Sequence, residues 1–386
     1  MTEPRVARSG PALFLLVMAL GYAVYAADRT VLASVLVPLK HSLALDPTQV
    51  GLMTSAQYIG VLSVVLIAGH LSDRFGKWRI ILAGVAVFST FTWLISFAAD
   101  FYQAFAFRLV SGVGEGIFWP VAMSAVANYF GGRKGFALGA FYVGFDAGGA
   151  SGSAIGGYTY AVTADWRTAF FVAPLLGIAV VAGLLVSREA FRQAEPGSGV
   201  LSLGRDAVSL LRRPRVAILM AFALAATYPV AAWQTYLATY WNNVTGLSVP
   251  LAAYGYSAVL VAGGAGKLVF GRASDGWPRD RVLLGIASGA SAMFCLFFWV
   301  GGSAWEGFGL ALAASFFASA IFPVMQALAS DSCGGRTGTA LGLTTTFQSV
   351  ATVTATGSFS RRRRRITRRC RLHPCRRSSA SRPHQP

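Results

Sequence analysis

Apolar runs long enough to cross a hydrocarbon core recur along the chain, each bounded by clusters of Arg, Lys, Asp, Gly or Pro. Eleven such runs predict eleven membrane-spanning helices. They cover 12–38, 47–68, 79–99, 101–127, 134–160 and 165–187 and, after a polar stretch, 215–242, 249–271, 281–301, 304–328 and 336–358. The first run is too long for a secretory leader and flows into Asp28-Arg29 without a small-residue cleavage site, so it is expected to stay as a helix.

The pattern repeats at a larger scale. Gly69-His70-Leu71-Ser72-Asp73 closes the second run, and Gly271-Arg272-Ala273-Ser274-Asp275 closes the eighth, 202 residues later. Gly131-Gly132-Arg133-Lys134-Gly135 opens the fifth, and Gly334-Gly335-Arg336-Thr337-Gly338 opens the eleventh at nearly the same offset. Two matches at one spacing argue for duplication. The expected organisation is a first six-helix bundle over 1–187, a linker over 188–214 with a short amphipathic helix near 201–211, a second bundle over 215–358 and a basic tail over 359–386.

Composition agrees with membrane burial, since 55% of the 386 residues are hydrophobic and only 12% are charged. Basic residues gather on one side of the predicted membrane, at Arg5, Arg8, Arg74, Lys77, Arg79, Arg133, Lys134, Arg188, Arg212, Arg213 and Arg215. That bias places the N-terminus in the cytoplasm, and a bacterial inner membrane is the expected location. The formal charge of +18 does not point to nucleic acid, because 11 arginines follow Ser360 and the rest of the chain carries only +7. An arginine run after an eleventh helix opposes the positive-inside rule, and a twelfth helix is missing where the repeat requires one. We therefore expect a frameshift near Ser358. The alternative is a natural tail held inside by a last run that fails to insert. Cys295, Cys333, Cys370 and Cys375 have neither disulfide nor zinc spacing.

The loop Gly69-His70-Leu71-Ser72-Asp73-Arg74-Phe75-Gly76-Lys77-Trp78-Arg79 is similar to the G-x-L-x-D-R-x-G-R/K signature of the major facilitator superfamily. The resemblance implies an all-α fold of two six-helix bundles with the substrate site between them near the bilayer midplane, here with about eleven helices. It also implies a latch between the halves, formed by Gly69, Asp73, Arg74, Gly76, Lys77 and Arg79, with Arg133 and the partial copy at Gly271 and Asp275. The bland alternative is a hairpin that only obeys the positive-inside rule.

Asp28, Arg29, Arg108, Glu115 and Asp146 fall inside apolar runs, where each unpaired charge costs roughly 2.5–3.5 kcal/mol. Such residues need partners or water, and one connected site is expected. Arg29 and Arg108 would grip an anionic substrate or hold counter-ions, while Asp28, Glu115 and Asp146 would carry protons. A static ion-pair network is the structural alternative. Tyr25-Ala26-Ala27-Asp28-Arg29, Arg108 to Gly116 and Trp166-Arg167 resemble motifs of the anion:cation symporter branch, with Tyr25, Ala26 and Gly116 departing from its pattern. Spinster-type lipid transporters share a similar Asp-Arg and G-E-A pattern.

The second half offers Tyr228, Trp233, Gln234, Tyr236, Tyr240, Asn242 and Asn243. Of these, Trp233, Gln234 and Tyr236 join Tyr25 as candidates for the neutral part of a substrate, with interfacial aromatic belts as the alternative reading. Gly144, Gly148, Gly152 and Gly156 suit close helix packing and also approach a glycine pattern of drug:proton antiporters. No nucleophile constellation, nucleotide loop or metal cluster stands out. The expectation is a monomeric transporter without cofactor or metal, in the lipid bilayer, symporting a small organic anion with protons. Drug efflux and an inactive remnant are the alternatives.

Overall fold

The computed structural model describes residues 10–194, 208–244, 249–300, 304–332 and 337–372. The first half contains α1 (Gly10–Ser42), α2 (Pro47–Phe75), α3 (Lys77–Ile95), α4 (Phe101–Tyr129), α5 (Lys134–Thr163), α6 (Arg167–Val172), α7 (Leu175–Val186) and α8 (Arg188–Ala194). The second contains α9 (Pro214–Val244), α10 (Val249–Gly276), α11 (Arg279–Val300), α12 (Ala304–Ser332) and α13 (Thr337–Leu372).

Local sequence explains the boundaries. The Asp46 carboxylate accepts the Thr48 and Gln49 N–H groups at 2.6 and 2.9 Å, and the Gln49 side chain accepts from the Asp46 N–H, so α2 starts with a capping box. Asp100 caps α4 in the same way, accepting from the Gln103 N–H at 2.8 Å. Gly76 has φ 87°, which lets α2 stop and α3 begin one residue later.

Seven described stretches are long and apolar enough to cross a membrane on those grounds alone. They lie in α1, α3, α4, α6 to α7, α9, α11 and α12. The other long helices, α2, α5, α10 and α13, carry more Gly, Ser, Thr and Gln.

Helix pairing follows the duplication. α1 packs on α5, and α2 and α3 on α4; correspondingly, α9 packs on α13, and α10 and α11 on α12. The glycine row of α5 lies against α1. A Cβ added at Gly148 would fall 2.5 Å from the Ala23 carbonyl carbon, so only glycine permits this approach. The halves meet where α5 crosses α10 and where α13 crosses α2.

Three elements differ from the sequence expectation. The sixth span is broken into α6 and α7 at Pro174, which has no N–H to continue the helix. The expected linker begins as α8, whose Phe191 is buried and meets Phe14 edge-on at 5.1 Å. The last helix continues through Arg361–Arg365 to Leu372, beyond the expected end at 358, and arginine is a good helix former. The stretch 201–207 of the expected amphipathic linker helix lies outside the described residues.

Candidate substrate and coupling site

Helices α1 to α4 converge on one buried network. Asp28 on α1 accepts from Arg108 Nη1 at 2.9 Å, Thr92 at 2.8 Å, Ser111 at 2.8 Å and Gln57 at 3.1 Å. Arg108 also reaches the Asp28 carbonyl at 3.2 Å. Four donors fill both oxygens of this carboxylate, which makes it a brace between helices. Beside it, Glu115 accepts from Arg29 Nε and Nη2 at 3.1 and 3.0 Å and from Gln57. Gln57 thus joins the two carboxylates. The Arg29 guanidinium lies 4.5 Å from the Tyr25 ring centre and 4.9 Å from that of Tyr58, an arrangement that favours the cation. Glu115 is fully buried and Arg29 is 17% exposed, so Arg29 is the member of the network with an open side.

A second buried pair joins the halves. Lys267 Nζ on α10 donates to both oxygens of Asp146 on α5, at 2.9 and 2.7 Å. At about 1.5 Å per residue, Asp146 lies roughly 18 Å along α5 from its start and Lys267 roughly 14 Å from the end of α10. Nearer that end of the bundle, the basic face that carries the loops before α3 and α5, Asp275 accepts the N–H groups of Gly135 and Phe136, each at 2.8 Å. The exposed N–H groups and positive end of a helix suit such a carboxylate. Arg279 meets Asp275 at 3.1 Å, and Asp331 pairs with Lys134 and Arg279. These contacts close the halves together at the basic face.

The sequence model of the Major Facilitator Superfamily matches residues 18–356. The chain belongs to this superfamily. Members of this superfamily are integral membrane transporters and not enzymes. Similar curated proteins include Protein spinster of Drosophila melanogaster, 30% identical over 172 residues, which is 44% of this chain and 28% of that protein. The 3-(3-hydroxy-phenyl)propionate transporter of Escherichia coli (strain K12) is 31% identical over 144 residues, 37% of this chain and 35% of that protein. These matches therefore span about a third or less of each relative's own length. The fold agrees with that of the proton:xylose symporter XylE, with TM-score 0.72, 16% identity and coverage of 95% of this chain and 91% of that one. FucP in its outward conformation gives TM-score 0.69 at 17% identity, covering 89% of this chain and 90% of that one.

Within this superfamily fold the residues singled out from sequence have different fates. Tyr25, Asp28, Arg29, Arg108 and Glu115 come together. Asp146 stands apart, held by Lys267 across the halves. Trp233 is buried in the second half against Phe294 and Phe297, at 5.0 and 4.7 Å between ring centres, so it packs within its own bundle. Gln234 is partly exposed, and the side chains of Tyr236, Asn242 and Asn243 lie outside the described residues. In the latch, Gly69, Lys77 and Gly271 are buried and Gly76 forms the reversal, while Arg74, Arg79 and Arg133 are exposed. The Asp73 side chain lies outside the described residues; its repeat counterpart Asp275 shows the inter-half contact.

Sequence reasoning missed Gln57, Thr92, Ser111 and Lys267. Gln57 and Thr92 are neutral residues in apolar runs that contain other hydroxyls and amides, with nothing local to set them apart. Lys267 had a usable signal, as a lone cation eight positions before Asp275 and well inside an apolar run.

Proposed function

We propose that the chain is a proton-coupled symporter of a small organic anion, with Arg29 as the anion grip and Glu115 as the proton carrier. One observation carries the reading: each cation buried at mid-membrane depth among the described residues already holds a carboxylate, as Arg29–Glu115, Arg108–Asp28 and Lys267–Asp146. An anion entering such a site finds no free positive charge. A proton added to Glu115 neutralises its carboxylate and leaves Arg29 to pair with the carboxylate of the substrate, so the net charge of the site is unchanged when one proton and one monoanion bind together. Arg108 does not compete for this role, because it and Asp28 are both buried and already pair with each other.

Aromatic surface surrounds the grip. Tyr58, Trp119 and Phe145 are partly exposed beside Tyr25 and Arg29, and they suit a planar substrate body. A relative named as a transporter of 3-(3-hydroxy-phenyl)propionate and another named as the niacin transporter NiaP of Acinetobacter baylyi support an aromatic carboxylate as the first class to try. The positive-inside rule sets the basic face in the cytoplasm. Contacts closed at that face then correspond to a carrier open to the outside, working as a monomer because the network is complete within one chain.

The test is external pH in lightly buffered, de-energised proteoliposomes challenged with hydroxyphenylpropionate, niacin, sugar acids and cationic dyes. Alkalinisation with an organic acid, abolished by Glu115→Gln, is the expected result. Uptake indifferent to pH and to Glu115→Gln would sink the reading. Proton release driven by the dyes alone would replace it with efflux by proton exchange.

A further inference from the structure

We infer that Asp146 and Lys267 form a proton-released lock between the two halves, separate from the Arg29–Glu115 pair and controlling whether the bundle opens at its basic face. The inference rests on the proton-coupled reading for its place in a transport cycle, but its geometry stands alone. Arg29 and Glu115 both belong to the first half, so their pair survives any rocking of one half on the other. Asp146 and Lys267 belong to opposite halves, and their pair cannot survive the separation of α5 from α10.

Breaking the pair in place would leave two unpartnered charges in a dry interface, which is strongly unfavourable. The pair is 3% and 9% exposed at its lysine and aspartate. Around it, Gly139 lies too close to the Lys267 carbonyl to admit a side chain. Water therefore has little room to take over the hydrogen bonds. A proton on Asp146 removes the charge that holds Lys267, and Lys267 then gains more by swinging into water as the halves part than by staying.

The other titratable groups facing Asp146 are phenols: Tyr22 on α1, Tyr142 on α5 itself and Tyr256 on α10. Phe322 of α12 and Trp119 of α4 face the same stretch beside Tyr142 and do not titrate. Asp146 is thus the carboxylate through which acid acts on this contact. The glycine row of α5 fits tightly on α1, so any movement of α5 released here is delivered to the helix that carries Asp28 and Arg29.

The experiment measures distance without substrate. Spin labels are placed at Gly132→Cys and Trp277→Cys, two exposed positions at the basic face on opposite halves, in full-length chain with Cys295, Cys333, Cys370 and Cys375 replaced by serine. The expected result is one short distance in alkaline buffer and a second, longer population that grows as the buffer is made acid. Asp146→Asn should show the longer population at every pH, with the ratio shifted by more than about tenfold in alkaline buffer and no remaining dependence on acid. Lys267→Met should show the longer population in alkaline buffer, where Asp146 is left charged and unpartnered, without the wild type's growth of that population in acid, and serves if Asp146→Asn fails to assemble. A wild-type ratio that ignores pH, or a ratio in Asp146→Asn or Lys267→Met that follows pH as the wild type does, would overturn the lock. Because no substrate is present, failure here leaves the symport reading intact, and failure of the Glu115→Gln uptake test leaves the lock intact.

Discussion

Counting forward by the 202-residue offset of the repeat sets Asp28, Arg29, Gln57, Arg108 and Glu115 opposite Val230, Ala231, Val259, Leu310 and Phe317. All five counterparts are apolar. The same offset sets Asp73 opposite Asp275, and the helix pairings of the first half recur in the second. The two halves therefore share their helix crossings and an aspartate at the same place in the repeat, while the buried ionic chemistry is concentrated in the first. The asymmetry has a physical basis: each buried charge requires a partner and further donors, and a second network of that kind would add desolvation without adding a second substrate. Among the described buried charges of the second bundle, Lys267 breaks the rule, and its partner lies in the other half.

Four comparisons probe this asymmetry. The largest effect is expected from Arg108→Ala, which leaves Asp28 buried without its cation and should cost about 3–5 kcal/mol. The counterpart Leu310→Ala, at a partly exposed position, should cost about 1 kcal/mol. Chemical denaturation in mixed micelles compares them, and equal losses would contradict the division between halves. Next, Ala231→Arg plants a cation in the second half at the position equivalent to Arg29. It should destabilise by roughly 2.5–3.5 kcal/mol, seen as a fall in thermal midpoint and membrane yield.

Smaller effects should come from the shared latch. In Asp275→Asn the charge-assisted bonds to Gly135, Phe136 and Arg279 weaken. A cysteine at Ser274, buried where α10 crosses α5, should then react with a soluble maleimide about tenfold faster than in the parent, in line with the 1.5–3 kcal/mol typical of bonds to charged groups. An unchanged rate would mean the latch contributes little to closure. Last, Gly76→Ala forces an L side chain into positive φ and should cost about 1–2 kcal/mol. Pro278→Ala, at the equivalent reversal of the second half, should cost less than about 1 kcal/mol in the same unfolding assay.

Much of this organisation is legible in one dimension because a charge inside an apolar run is conspicuous. Asp28, Arg29, Arg108 and Glu115 stand out for that reason, and the network they build follows from their need for partners. Asp146 stands out equally, but its partner does not, since the pairing of α5 with α10 is decided by how two bundles meet and no local pattern encodes it. Gln57 illustrates a second limit: an amide is neutral, and only the positions of the two carboxylates on either side give it meaning. Trp233 illustrates a third. An aromatic residue of a second-half helix fits a cleft and a core equally well by sequence, and the neighbouring Phe294 and Phe297 decide for the core. The break at Pro174 was visible as a residue but not as an interruption, because the flanking apolar runs are continuous.

The pitch of α5 carries a consequence for how this segment tolerates change. Gly144 and Gly148 face α1, while Asp146, displaced by two residues and so by roughly 200° around the axis, faces α10. One helix thus reads two neighbours at once, and the spacing between its two inscriptions is set by 3.6 residues per turn rather than by side-chain size. Inserting or deleting a single residue between Gly139 and Gly156 would turn the residues after it by about 100° against those before it, so that no rotation of the helix restores both parts of its contacts.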